Sequence, residues 1–217
     1  MIDLIVFDLD GTLVDSHRDL AKAANTLVHE LGGAPLAVDA VVRMVGEGAA
    51  VLVRRALIAS GLDPDTPGAL ARFLAIYDGC LLDETVPYPG TLDMLQALEG
   101  RYRLAILTNK PAFATSRIVE GLGLAHFFDP VVGGDTPFGR KPDPAGLLHI
   151  VAEAGTTAAG TTLVGDSPAD LGAARNAGTA ICLARFGFGY TFKAMDLDGT
   201  EHIIDAPGEL VAVVGRL

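Results

Sequence analysis

Short, nearly unbroken apolar runs alternate along this chain with segments whose apolar residues recur at three- and four-residue intervals. The runs Ile2–Phe7, Arg103–Leu107, Val131–Val132, Thr161–Val164, Thr179–Leu183 and His202–Ile204 read as strands. Strands that are apolar on both faces suit a parallel sheet buried between two layers of helices. Thr91–Glu99, Ala112–Gly121, Ala145–Ala154 and Pro168–Ala177 supply the helical spacing between them. The expected fold is α/β, a doubly wound Rossmann-like parallel sheet.

One long stretch breaks the alternation. From Ser16 to Leu82 every periodic segment is helical: Asp19–Gly33 ends on a Gly pair, Asp39–Gly61 divides at Gly46-Glu47-Gly48, and Pro67–Leu82 follows. A Gly pair after the last periodic residue is a helix stop, and the Asp-Pro, Thr-Pro and Pro-Tyr-Pro-Gly steps mark loops. The pattern predicts a helical insert after the first strand. Residues 16–83 would form it, and residues 1–15 and 84–217 would form the α/β core.

Composition narrows the function. With 217 residues and an apolar fraction of 50%, the chain can bury a full domain core, and aromatic residues at 6% leave that core to Leu, Val, Ile and Ala. The net charge of -11 sets it against nucleic acid and anionic membranes as partners. An anionic substrate would need a metal ion or a local basic cluster to reverse the field. Cys80 and Cys182 lie far apart among apolar neighbours and read as buried, inert thiols. Neither a basic, apolar leader nor a membrane-length apolar run is present, so the expected setting is cytoplasmic.

The chemistry begins with a duplicated pentapeptide, Asp-Leu-Asp-Gly-Thr, at Asp8–Thr12 and again at Asp196–Thr200. Ligands of open α/β sheets bind at the carboxyl ends of strands. The first copy follows an apolar strand, so Asp8 and Asp10 stand where a catalytic pair belongs. Gly11 lets the loop curl so that both carboxylates address one pocket. Two carboxylates with a hard cation suggest Mg²⁺, whereas the plain alternative is an acidic turn. The second copy precedes a strand, and its reading is a polar turn bent at Gly199. Three further strand ends carry polar groups. Thr108-Asn109 either holds a phosphoryl group or opens a helix. Lys141, before Pro142, either faces the pocket or is solvated. Asp166, with Asp170 four residues on, is either a metal ligand with its support or a helix cap.

Taken together, Asp8-Leu-Asp10-Gly-Thr, Thr108-Asn109, Lys141-Pro142 and Gly165-Asp166-Ser-Pro-Ala-Asp170 resemble the four-part signature of the haloacid dehalogenase superfamily, and the resemblance runs along almost the whole chain. It implies that the helical insert is a small α-helical cap. It implies Asp8 as the nucleophile of an aspartyl-phosphate, and Asp10 as the general acid and then base. Mg²⁺ would be held by Asp8, the main-chain carbonyl of Asp10 and Asp166. Thr108, Asn109 and Lys141 would bind phosphoryl oxygens beside the Gly11 turn, and Asp170 would support Lys141 or the metal.

Arg43–Leu57, Thr108–Pro111, Val131–Thr136, Lys141–Pro144 and Phe186–Tyr190 resemble phosphoglycolate phosphatases more narrowly. That resemblance implies a small phosphorylated acid, most of all 2-phosphoglycolate, as substrate. Gly46, Glu47 and Gly48 would offer backbone N–H groups to it, with Arg43 or Arg54 meeting its carboxylate. The alternatives are a phosphatase for another small phosphorylated metabolite, a phosphomutase, or a binding module on the same scaffold. Sugar phosphomutases of this superfamily place a histidine where this chain has Leu20, and dehalogenases lack the carboxylate at Asp10. The assembly implied is a monomer or weak homodimer.

Overall fold

The computed structural model describes residues 2–217. In chain order the elements are β1 (Leu4–Phe7), β2 (Val14–Asp15), α1 (His17–Glu30), α2 (Val38–Val42), α3 (Ala49–Ala59), α4 (Ala69–Asp78), β3 (Val86–Pro87), α5 (Thr91–Leu98), β4 (Arg103–Leu107) and α6 (Ala112–Gly121). They continue with β5 (Val131–Val132), α7 (Ala145–Glu153), β6 (Thr161–Gly165), α8 (Pro168–Ala177), β7 (Ala180–Ala184), β8 (His202–Ile204) and α9 (Leu210–Val214).

Six strands form one parallel sheet in the order β5-β4-β1-β6-β7-β8. The chain builds outward from β1 on one side, then returns to build outward on the other. This doubly wound order opens a crevice at the carboxyl ends of β1 and β6, where the winding reverses. Alternate side chains serve opposite faces. Leu4, Val6, Leu163 and Leu183 pack with Leu147 and Ile150 of α7 and Leu171 of α8. Ile5, Phe7, Ile106 and Cys182 pack with Leu95 of α5, Ile118 of α6 and Leu210 of α9. Burial on both faces explains why these strands read as unbroken apolar runs. Cys80 and Cys182 are both free and buried. No helix among the described residues is long and apolar enough to cross a membrane.

The helical insert leaves and rejoins the sheet through a ribbon. β2 and β3 pair antiparallel, Val14 with Pro87 and Asp15 with Val86. Between them, α1 packs against α2, α3 and α4. Asp19, fully buried in the first turn of α1, ties the two crossings together. Its carboxylate accepts the N–H groups of Glu84 and Thr85 and the Thr85 hydroxyl, the last at 2.7 Å.

The second pentapeptide is a surface turn ahead of β8. Asp198 accepts the backbone N–H and hydroxyl of Thr200 and pairs with Arg175, while Gly199 takes φ +89°. Only glycine adopts that conformation without strain.

Candidate active site

Asp8 continues β1 into the crevice, its N–H donating to the Val164 carbonyl of β6. Asp166 follows β6 directly. Asp8, Asp166 and Asp170 are buried, and each brings a carboxylate oxygen within 4.8 Å of the others. Burial raises Asp8 from 3.8 to about 6; Lys141 opposes the shift and Asp170 and Asp10 add to it. Burial, with Asp170 and Asp8, holds Asp166 well above the usual carboxylate range. Crowded acids that resist ionising, all oxygen donors, are the set a hard divalent cation satisfies. Asp8 Oδ1 is buried and has no aligned hydrogen-bond donor, although the Lys141 ammonium lies 2.8 Å away.

Lys141 sits between Asp8 and Asp170, 2.6 Å from the latter. Burial works against its charge, but the two carboxylates outweigh that and raise its pKa. Asp170 also accepts the N–H and hydroxyl of Ser167, at 3.0 and 2.6 Å. One carboxylate therefore both closes the first turn of α8 and holds the lysine. Ser167 is the cap of α8, and Asp170 completes its capping box from the third helical position.

Asp166 is enclosed by glycines. A Cβ on Gly11, which has φ +85°, would lie 1.9 Å from Asp166 Oδ2, and one on Gly187 would lie 2.2 Å from the Gly11 carbonyl. The Gly189 N–H donates to Asp166 Oδ2 at 2.7 Å. The loop Phe186–Tyr190 therefore closes over Asp166, and its glycines are what allow the approach.

Asp10 has partners that sequence reasoning did not assign. Its carboxylate accepts the Ser16 hydroxyl at 2.5 Å and both of its oxygens lie 2.9 Å from Lys110 Nζ. Lys110 also donates to the Tyr77 hydroxyl of α4 at 2.7 Å. Burial disfavours the Lys110 charge, yet Asp10 and Tyr77 overcome it and raise its pKa. Burial pushes the Tyr77 phenol up to about 12. The one available signal was position: Lys110 follows the Thr108-Asn109 strand end directly.

Several expected substrate contacts take other roles. Asn109 is not free to present its side-chain amide to a phosphoryl group. Its Nδ2 donates to the carbonyls of Gly46 and Lys141, and its Oδ1 accepts the Lys141 N–H. It positions the lysine loop and the Gly46 turn instead. Thr108 is buried at the β4 end, its hydroxyl accepting the Lys110 N–H at 3.2 Å. Gly46 and Gly48 line the pocket, but Gly46 directs its carbonyl to Asn109. Arg43 and Glu47 are exposed and outside the pocket lining, as is Arg54. Glu47 pairs with Arg55, and Arg54 with Asp65. Arg43 and Arg54, expected against the substrate carboxylate, therefore stand outside this pocket.

The pocket between the strand ends and the helical insert encloses about 50 Å³. Asp8, Asp10, Thr108 and Asp166 line its floor, and Leu20, Val45, Leu52, Phe73 and Tyr77 line the side of the insert.

Residues 5–184, which hold every one of these strand ends, match the haloacid dehalogenase-like hydrolase family. The phosphoglycolate phosphatase of Rhodospirillum rubrum is 45% identical over 192 residues, spanning 85% of this chain and 80% of that protein. The phosphoglycolate phosphatase of Colwellia psychrerythraea is 38% identical and spans 99% and 97%. The crystal structure of a predicted phosphoglycolate phosphatase from Haemophilus somnus superimposes with a TM-score of 0.91 at 29% identity, covering 98% of each chain. The buried acids at the reversal of the sheet, the lysine between them and the helical insert above therefore have a common origin: this chain belongs to the haloacid dehalogenase-like hydrolases.

Proposed function

We propose that this chain is a Mg²⁺-dependent phosphatase for small phosphate monoesters, with 2-phosphoglycolate as its main substrate and a phosphoryl group carried transiently on Asp8. The observation that carries this reading is the buried Asp8 carboxylate at a strand end, 2.8 Å from Lys141 and grouped with the acids Asp166 and Asp170. The named activity of the relatives, at up to 45% identity, and the small pocket favour a compact phosphorylated acid. Residues 16–83 would cap the site, with residues 1–15 and 84–217 supplying the reacting groups.

Asp8 and Asp166, with the main-chain carbonyl of Asp10, would hold Mg²⁺, and Asp170 would stand behind them, fixing Lys141. When bound, the ion offsets the charge that builds on the phosphoryl oxygens and lets an anionic ester approach a carboxylate. Lys141 contributes a fixed positive charge on the same side, already oriented by Asp170. Thr108 sits at the neighbouring strand end, where its hydroxyl can contact a phosphoryl oxygen.

In the first step an Asp8 oxygen bonds to phosphorus and the bond from phosphorus to the ester oxygen breaks. Asp10 gives its proton to the departing ester oxygen, releasing glycolate. In the second step Asp10 takes a proton from water, the water oxygen bonds to phosphorus, and the Asp8 acyl-phosphate bond breaks. Phosphate leaves, Asp8 is again a carboxylate and Asp10 is again protonated. Ser16 and Lys110 hold the Asp10 carboxylate still between the two transfers. Phosphate release from a panel of esters tests the substrate. Turnover led by 2-phosphoglycolate is expected, and sugar phosphates or nucleotides turned over faster would overturn the substrate assignment.

A further inference from the structure

We propose that Lys110 binds the carboxylate of the substrate, so that phosphorylated acids are selected at the ammonium group beside Asp10. The inference rests on the phosphatase reading above and names what reads the acid.

A substrate carboxylate entering this pocket needs a cation, and few are within reach. Arg43, Arg54 and Arg55 are on the outer side of the insert, the last two with acidic partners. Lys141 lies between two acids, Asp8 and Asp170, on the phosphoryl side, whereas Lys110 has one acid, Asp10, and a neutral phenol, Tyr77, as partners. Among the described residues that line the pocket, Lys110 is the single cation. Around it, the insert contributes Leu20, Val45, Leu52 and Phe73, which offer a carboxylate no donors, and the backbone of Gly46, Gly48 and Ala49, which carries no full charge. An unpaired carboxylate against such walls would be strongly disfavoured.

The position of the Lys110 ammonium fits the task. Asp10 gives its proton to the ester oxygen, so that oxygen must lie within hydrogen-bond reach of Asp10. Lys110 Nζ is 2.9 Å from the same carboxylate. In a two-carbon phosphorylated acid the carboxylate is one carbon beyond the ester carbon, roughly 3 Å from the ester oxygen given ordinary bond lengths of about 1.5 Å. The acid group of such a substrate therefore arrives at the Lys110 ammonium. Tyr77 fixes that ammonium from the side of the insert at 2.7 Å, its ring stacked on Phe73. The cation is thus oriented before substrate arrives, which keeps the cost of binding small. Tyr77 is a positioning residue, acting through Lys110.

The test compares 2-phosphoglycolate with ethyl phosphate, which has the same chain length and no carboxylate, in the Mg²⁺-loaded enzyme. The readout is the ratio of their kcat/KM values. Losing a charge-assisted hydrogen bond to the substrate is worth roughly 10- to 100-fold. Lys110→Met should lower the ratio by that factor, chiefly through KM for phosphoglycolate. Lys110 also touches Asp10, so a loss shared by both esters is expected and cancels in the ratio. Tyr77→Phe keeps the ring and removes the hydroxyl; it should lower the ratio about threefold, and it decides the matter should Lys110→Met not fold. A ratio unchanged in the variants, both esters falling together, would overturn the proposal. A wild-type enzyme that turns over both esters equally would instead overturn the substrate assignment on which the proposal rests.

Discussion

Replacing Asp8 by Asn should stabilise the metal-free protein while destroying its activity. Asp8 is 8% exposed, and its carboxyl is pushed from 3.8 to about 6, first by burial and then, against the pull of Lys141, by Asp170 and Asp10. The sign follows from linkage. Below pH 3.8 the residue is protonated in folded and unfolded chains alike and has no effect on stability. Between that value and about pH 6 only the unfolded chain ionises freely, so the folded state loses ground. Above it the whole difference applies, about 3 kcal/mol at about 1.4 kcal/mol per pH unit. Asn has no such charge to bury. In the presence of a chelator, Asp8→Asn should match wild type near pH 4 and exceed it near neutrality by up to about 3 kcal/mol. For a chain this long that is roughly 6–12 °C in Tm. Saturating Mg²⁺ should close most of the gap, since a ligand at about 100 Kd adds about 2.7 kcal/mol to the state that binds it. Urea unfolding across the pH range, with chelator or Mg²⁺, reads each quantity. A mutant less stable than wild type at neutral pH without metal would refute the reasoning, as would a difference that does not vary with pH.

Other perturbations follow from the same contacts. Asp19→Ala should cost about 3 kcal/mol in denaturant unfolding, because it leaves the buried Thr85 N–H and hydroxyl, and the Glu84 N–H, without their acceptor. Gly187→Ala should raise the Mg²⁺ concentration needed for half-maximal activity, since the added methyl meets Asp166 and the Gly11 carbonyl; unchanged metal titration would contradict that. Arg43→Ala and Arg54→Ala should leave kcat/KM within about twofold, the range of surface changes away from a site. Asp196→Asn, in the second pentapeptide, should do the same.

The apolar strands carried most of the legible information. Their continuity located the strand ends, and the strand ends located Asp8, Thr108 and Asp166, because a doubly wound sheet presents those positions to one crevice; Lys141 reaches it from the loop between β5 and α7. The same logic separated two identical pentapeptides: Asp8–Thr12 leaves a strand, and Asp196–Thr200 enters one. The ribbon that carries the insert was not legible. β2 and β3 are too short to show any alternation, and their pairing joins residues more than seventy apart. What depends on docking was likewise hidden. Nothing in the spacing of α4 says that Tyr77 reaches across to Lys110, nor that Lys110 turns back onto Asp10. The outward turn of Arg43 and Arg54 is set by how α2 and α3 pack on α1, a property of side-chain shape rather than of period. Asn109 was placed correctly at a strand end, yet its side chain serves Lys141 and Gly46, whose nearness comes from loops the pattern leaves open.

In the proposed function, Asp8 attacks the phosphate ester with Mg²⁺ beside it. Phosphate release from 2-phosphoglycolate, followed for wild type and Asp8→Asn with Mg²⁺ and with chelator, tests it most directly. Turnover by wild type with Mg²⁺ alone, lowered roughly a thousandfold or more in the mutant, is the expected result. Equal turnover by Asp8→Asn, or turnover that survives the chelator, would contradict it.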